Sequence, residues 1–243
     1  MPLKKTDGNM YPWVTHTHSH LGGACPHQCS YCYVQAMASR FPNMKARYSG
    51  VPKIYKKELA VNYGSGRTIF LEHMNDLFAS GVSHRDRMRI LAHAREYREN
   101  KYVFQTKNPA IAIHYRYCFW EGWMIGTTIE TNRQYPGIMG NTPPPSGRME
   151  GMEQWCFCAD WVRRFVTVEP ILDFDVRKLS AMIRRCKPEF VNIGADSKGT
   201  GLPEPRWEKV QALIDDLSAF EIEIRQKRNL DRLKEGPTTA RES

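Results

Sequence analysis

The 243-residue sequence contains no run of 18 apolar residues, and its mean hydropathy is −0.56, which excludes a membrane-spanning helix of ordinary length. No apolar core follows the basic residues of the first stretch, Met1 to Asp7, so no secretory leader is expected and a cytoplasmic location is. An even cysteine framework is also lacking. Seven cysteines in a reducing compartment do not read as disulfide pairs. No internal repeat or Pro/Gly/Ser-rich linker divides the chain. Its hydrophobic fraction of 41% is enough for one sizeable core, which excludes disorder for the bulk of the molecule.

The charge is one-sided: 35 Lys+Arg against 26 Asp+Glu gives +9 with His neutral, a balance that suits a polyanionic partner or simply a basic surface. Residues 40–67 hold seven of these cations and a single acid, with Tyr48, Tyr55 and Tyr63 interleaved, and read as a basic connection or insertion. Around it, short β-branched runs alternate with amphipathic stretches. Strands are expected near 12–17, 68–71, 102–105, 124–129, 164–168 and 190–194, with 221–225 as a short last one. Helices are expected near 31–40, 86–98, 109–119, 149–161, 176–186 and 207–220, and a Pro/Gly-rich loop at 136–147. Six strand–helix alternations predict an α/β fold with a parallel sheet: a partial (β/α)6 TIM-like barrel or an open doubly wound sheet, with function at the C-terminal strand ends. The domain spans 1–225, and 226–243 reads as a basic, mobile tail.

The chemistry is concentrated in Cys25-Pro26-His27-Gln28-Cys29-Ser30-Tyr31-Cys32, placed between the first strand and the first helix. Three thiolates this close suit three corners of a cubane iron–sulfur cluster and leave one iron open. A tetrahedral zinc site would want a fourth ligand, and the next cysteine, Cys118, stands alone. A non-catalytic metal-binding module is the competing class.

In spacing and position this run resembles the cluster loop of the radical SAM superfamily. Segments 70–78, 104–109, 125–130, 166–170 and 191–195 extend the likeness to a small branch found in phage and bacterial genomes and distantly similar to spore photoproduct lyase. The resemblance implies a partial barrel of the radical SAM type, a [4Fe-4S] cluster on Cys25, Cys29 and Cys32, and S-adenosylmethionine on the open iron. Reductive cleavage would then give a 5′-deoxyadenosyl radical that abstracts hydrogen from a substrate. Tyr31 would lie against the adenine. Where the superfamily has a Gly-Gly-Glu type motif, this chain has Leu71-Glu72-His73-Met74-Asn75-Asp76, so Glu72 and then Asp76 are the candidates for the methionine amino group. Thr127, Thr128 and Glu130 suit the ribose hydroxyls, alternation placing Thr128 and Glu130 on one face. Glu169 and Asn192, at the next two strand tips, complete the expected cofactor set.

His18, alternating with His16 and His20 along one face, and Lys107 are the expected substrate contacts. Cys118, Cys156, Cys158 and Cys186 read as structural thiols, with a hydrogen-donor role as the alternative. Trp120, Trp123, Trp155 and Trp161 read as core. The charge favours a nucleobase or nucleic-acid substrate undergoing modification, rearrangement or repair, with a small metabolite or peptide as the alternative. An electron donor of flavodoxin or ferredoxin type is implied.

Overall fold

A computed structural model describes residues 3–6, 10–197 and 199–234. The chain opens with β1 (Lys4–Lys5), β2 (His16–His18), β3 (Leu21–Gly22), α1 (Tyr33–Arg40), α2 (Pro42–Arg47) and β4 (Lys53–Ile54). It continues with β5 (Thr68–Leu71), α3 (His84–Glu96), β6 (Lys101–Thr106), α4 (Pro109–Ala112), β7 (Met124–Thr128), α5 (Pro136–Met139) and α6 (Pro145–Cys158). The last elements are β8 (Arg163–Val168), α7 (Val176–Arg185), β9 (Phe190–Ile193), α8 (Trp207–Ser218), β10 (Glu223–Gln226) and α9 (Asp231–Lys234).

Eight strands form one sheet in the order β1-β2-β5-β6-β7-β8-β9-β10. From β2 to β10 every pairing in it is parallel, whereas β1 runs antiparallel to β2, with Lys4 opposite Thr17 and Lys5 opposite His16. β1 and β10 are its two edges, so the barrel is partial and open on one side. The short strand foreseen near 221–225 is therefore a seventh parallel member, and β1 is an addition that a dipeptide of lysines does not announce.

Side chains alternate across each strand, and both faces are buried. Ile69, Leu71, Tyr102, Phe104, Ile125, Val166, Val168, Val191 and Ile193 pack outward against the helices. Phe70, Val103, Met124, Phe165 and Phe190 point inward and form a second, smaller core with Tyr11 and Val14. Phe165 stacks on Phe190 with ring centroids 5.4 Å apart. Gly126 makes that possible: a Cβ there would lie 2.2 Å from the Phe165 ring. Further along the strands the inward positions turn polar, at Gln105, Thr167 and Asn192 two residues on and at Thr128 four residues on, with Gln105 bonded to Thr128 and Asn192 to Thr167. The Tyr11 hydroxyl donates to Gln105 Oε1 at 2.7 Å and meets Thr167 Oγ1 at 2.8 Å, tying the plug to this belt. The lumen is thus apolar at one end and polar toward the C-terminal strand ends, where the cavity opens.

Three expectations are corrected and one is filled in. The first strand starts at His16, because Tyr11 and Trp13 leave the sheet to fill the lumen. The 136–147 loop contains α5 and the first turn of α6, whose Pro145 sits where a missing N–H costs nothing. Residues 40–67, expected as a basic connection or insertion, are folded: Tyr48 and Tyr63 are buried, and β4 pairs with β3. Finally, residues 226–234 belong to the fold, with Leu230 in the main core; the rest of the expected tail, 235–243, lies outside the described residues. Trp123 and Trp155 are core as expected, Trp120 packs against the core, and Trp161 is exposed.

Phe165→Ala should empty the centre of the lumen and lower unfolding free energy by about 3–5 kcal/mol. A urea titration at constant m-value measures this; a loss under about 1 kcal/mol would show that the lumen collapses without it.

Candidate active site

One cavity of about 650 Å³ opens at the C-terminal ends of the strands, and Cys25, Cys29 and Cys32 all line it. They occupy the loop from β3 into α1, where Cys32 is the residue preceding the first helical turn. Tyr31, Glu72, Asp76, Lys107, Thr128 and Glu169 line the same cavity. Strand tips far apart in sequence therefore converge as expected. Among the described residues, no three His, Cys, Asp or Glu side chains are grouped so as to hold a single metal ion.

The cysteine loop is braced from two sides. On one, His27 Nε2 meets Asp76 Oδ2 at 2.9 Å, and the same oxygen accepts from the Lys107 backbone N–H at 2.8 Å. Asp76 Oδ1 accepts from the Phe78 N–H at 2.9 Å. Burial pushes the Asp76 carboxyl up, but His27 and these donors outweigh it and hold it below the ordinary carboxylate range. On the other side, the Asn141 N–H donates to the His27 carbonyl at 2.7 Å and the Ser30 N–H to the Ile138 carbonyl at 2.9 Å. Gly140 lies between, with φ +61°, and a Cβ there would be 2.2 Å from the His27 carbonyl oxygen.

Glu130 and Arg148, both fully buried, link this brace to β7. Arg148 Nη1 donates to Glu130 Oε2 at 2.5 Å and to the Thr128 carbonyl at 2.9 Å. Its remaining nitrogens donate to Thr142 Oγ1 at 2.6 Å and the Pro143 carbonyl at 2.7 Å. The Tyr31 hydroxyl donates to the other Glu130 oxygen. Burial acts to raise the Glu130 carboxyl, but Arg148 and Lys107 together hold it below its usual range. Lys107 Nζ lies 3.9 Å from Glu130 and 5.4 Å from the centre of the Tyr31 ring. Burial works to lower the Lys107 ammonium, yet Cys29 and Glu130 raise it, so it stays charged beside the thiols.

Burial also pushes the Cys25 thiol up to about 12, with Asp76 adding to the rise and the His27 N–H opposing it. Such a thiol is protonated at neutral pH and ionises only when a cation takes the proton's place.

Several expected residues are placed elsewhere. His18 shares a face with His20, as alternation required, but that face is turned to the helices. There it contacts His20 and Tyr63 and is held near 2 by burial and the neighbouring His20, so it is neutral and away from the cavity wall. Glu72 reaches the wall, but its carboxylate accepts from His20 N and Nδ1 at 2.8 and 2.6 Å and from Leu21 N at 3.1 Å. Glu130 and Asn192 are enclosed behind the wall, the one by Arg148 and the other beside Thr167. Glu169 is held by Lys227 Nζ at 2.7 Å and Asn229 Nδ2 at 2.9 Å, both from the stretch expected to be a tail. Cys118, Cys156, Cys158 and Cys186 are all absent from the wall, which removes them as direct hydrogen donors to a molecule in this cavity. Tyr11, His27, Gln105, Thr167 and Lys227 line it without having been foreseen; only His27 carried a signal, its place inside the cysteine run.

This architecture, a mostly parallel partial barrel with its cavity at the strand ends, is the radical SAM type of fold. No protein-family model and no curated protein matches the chain. Among solved structures, a mutant of spore photoproduct lyase superposes with TM-score 0.61 at 11% identity, covering 92% of this chain and 79% of the other. Another lyase structure, described with bound AdoMet and a dinucleoside spore photoproduct, superposes with TM-score 0.55 at 12% identity over 87% of this chain; the match spans only 63% of the lyase's length. A radical SAM methyltransferase from Sphaerobacter thermophilus gives TM-score 0.54 at 14% identity, over 91% of this chain and 69% of that one. Among the described residues, no helix is long and apolar enough to cross a membrane.

Gly140→Ala should force the loop off His27 and lower iron incorporation several-fold while the melting temperature moves little; equal loading would show that the brace is dispensable. In cluster-free protein at pH 7, iodoacetamide should label exposed Cys158 before Cys25, because the raised Cys25 thiol is almost wholly un-ionised. Peptide mapping of a time course reads the order.

Proposed function

We propose that the chain is a radical SAM enzyme, with Cys25, Cys29 and Cys32 as ligands of a [4Fe-4S] cluster and S-adenosylmethionine as its cofactor. The observation that carries this reading is the placement of all three thiols on the wall of the strand-end cavity, within a fold of the radical SAM type. The residues fit the group: three soft donors on one cavity wall, a braced loop, and a cavity of about 650 Å³ in front of them. When bound, the pair supplies a 5′-deoxyadenosyl radical that takes a hydrogen atom from the substrate.

The chain's own residues bind, orient and shield. Tyr31 offers its ring, fixed through Glu130, as a flat wall for an adenine. The Lys107 ammonium, buried next to Cys29, offers donors to a carboxylate. Thr128 and Gln105 provide short polar contacts for ribose hydroxyls. Glu72 and Asp76, the two candidates for an amino group, both reach the cavity with both oxygens engaged, Glu72 by His20 and Leu21 and Asp76 by His27, Lys107 and Phe78. Glu169, neutralised by Lys227, orients whatever lies at the far end of the cavity.

The substrate class that the chain's charge supports is a nucleobase or nucleic acid undergoing modification, rearrangement or repair. The net charge of +9 and the cation-rich stretch from residue 40 support it, and the dinucleoside named for the lyase structure is consistent with it. A flavodoxin or ferredoxin type donor would supply the electron, and a cytoplasmic location follows from the cluster's need for reducing conditions.

Anaerobically reconstituted protein should show cubane absorption and, with dithionite, release 5′-deoxyadenosine. Cys25→Ala, Cys29→Ala and Cys32→Ala should each reduce that product to background, whereas Cys158→Ala keeps it. Wild-type protein with neither the absorption nor the product would refute the enzyme reading.

A further inference from the structure

Residues 40–57 contain six Lys or Arg and no Asp or Glu. Arg47 is turned inward, donating to Glu58 Oε1 and to the Ser19 carbonyl, each at 2.8 Å. The other five, Arg40, Lys45, Lys53, Lys56 and Lys57, are exposed and make no ion pair among the described residues. Elsewhere exposed cations do find acids, as in Arg163–Glu189, Arg185–Glu153 and Arg232–Glu204. A merely soluble surface mixes both signs; this one does not.

The segment is a rigid flap beside the cavity mouth. The Gly23 and Ala24 N–H groups donate to the Arg47 and Gly50 carbonyls, both at 2.8 Å, and β3 pairs with β4. Gly22 allows the Tyr55 ring to lie where a Cβ would be 2.2 Å away. The flap is therefore latched to the residues that lead into Cys25. Met37 of α1 and Met44 of α2 line the cavity, and Phe41, at the joint between these helices, is 52% exposed. The tyrosines of this stretch are occupied: Tyr48 is buried, and Tyr55 lies under the Arg47 guanidinium, 4.7 Å from its ring centre. Phe41 is left as the uncovered aromatic of this stretch, between two helices that each send a methionine to the cavity wall.

We propose that the flap from Arg40 to Lys57 docks single-stranded nucleic acid, with phosphates on the five unpaired cations and one base stacked on Phe41 beside the cavity. A free nucleotide engages one or two cations; five on one short segment suit a strand, which carries a phosphate on every nucleotide. A duplex keeps its bases stacked on one another, so a protein aromatic selects an unstacked strand. The proposal rests on the substrate class argued above and assigns its docking surface.

The test is fluorescence anisotropy on the full chain, without added cofactor, using labelled single-stranded DNA, single-stranded RNA and a duplex of the same sequence. At least one single strand should bind more tightly than the duplex, with affinity falling as salt rises. K53E/K56E/K57E should weaken it at least tenfold at low salt and flatten the log–log salt slope by about 2, since each phosphate contact on a single strand contributes ~0.7. Phe41→Ala should weaken it about tenfold with the slope unchanged, as a stacking contact does. Circular dichroism melting checks folding, and K53Q/K56Q/K57Q replaces the charge reversal if that variant does not fold. The proposal is overturned by absence of salt-dependent strand binding, by equal or tighter duplex binding, or by variants that bind strands like wild type. It is equally overturned if the lysine variants lose only an acidic flavodoxin and keep the strand. Because binding is read without cofactor, a failure of cofactor cleavage with intact strand binding would remove the enzyme reading alone.

Discussion

A carboxylate with no exposure to water must be neutralised where it stands, and Glu130 is neutralised by an equally buried Arg148. Losing one member of such a pair strands the other and costs about 3–5 kcal/mol. Here the pair does more than balance charge. Arg148 uses its other donors to hold residues 142 and 143, and these continue from the loop whose Gly140 and Asn141 press on the cysteine run. Tyr31 meets the same glutamate from within that run. One ion pair thus connects the tip of β7, the start of α6 and the wall that carries the thiols.

The sheet imposes the second constraint. With both faces covered, a polar side chain on a strand survives only if its partner is inside the barrel too. This is why Gln105, Thr128, Thr167 and Tyr11 bond to one another above the apolar lumen instead of reaching solvent. The belt marks the floor of the cavity. Below it, Phe165, Phe190 and the two N-terminal aromatics exclude water from the end that does no chemistry. Around the thiols the same economy holds: Asp76 joins His27 to the backbone of Lys107 and so ties the cysteine loop to a neighbouring strand tip.

Much of this was legible in the residues. The strand runs, their parallel order and the cysteine spacing follow from local patterns, because alternation and short ligand spacings are properties of the chain within a few residues. Asp76, Lys107, Thr128 and Glu169 were legible as strand-tip polar groups for the same reason. What was hidden depended on partners far away. His18 has the alternation of a lumen residue, but which face of a strand is the lumen is decided by the curvature of the whole sheet. Glu72 looks like a ligand for an ammonium until His20 and Leu21 are seen to take both its oxygens. Lys227 and Asn229 belong to a stretch whose composition suggests fraying, yet they hold Glu169 from just beyond the edge strand β10.

The sequence by itself determined the α/β class, the set of three clustered thiols and the excess of positive charge, since each is written in composition or in spacings shorter than a helix turn or two. Only the tertiary structure decided which groups hold each carboxylate, which tyrosines are core and which aromatic of the basic stretch is left exposed. Burial and pairing are set by residues a hundred positions apart, as with Tyr31 and Glu130, and no local pattern encodes them.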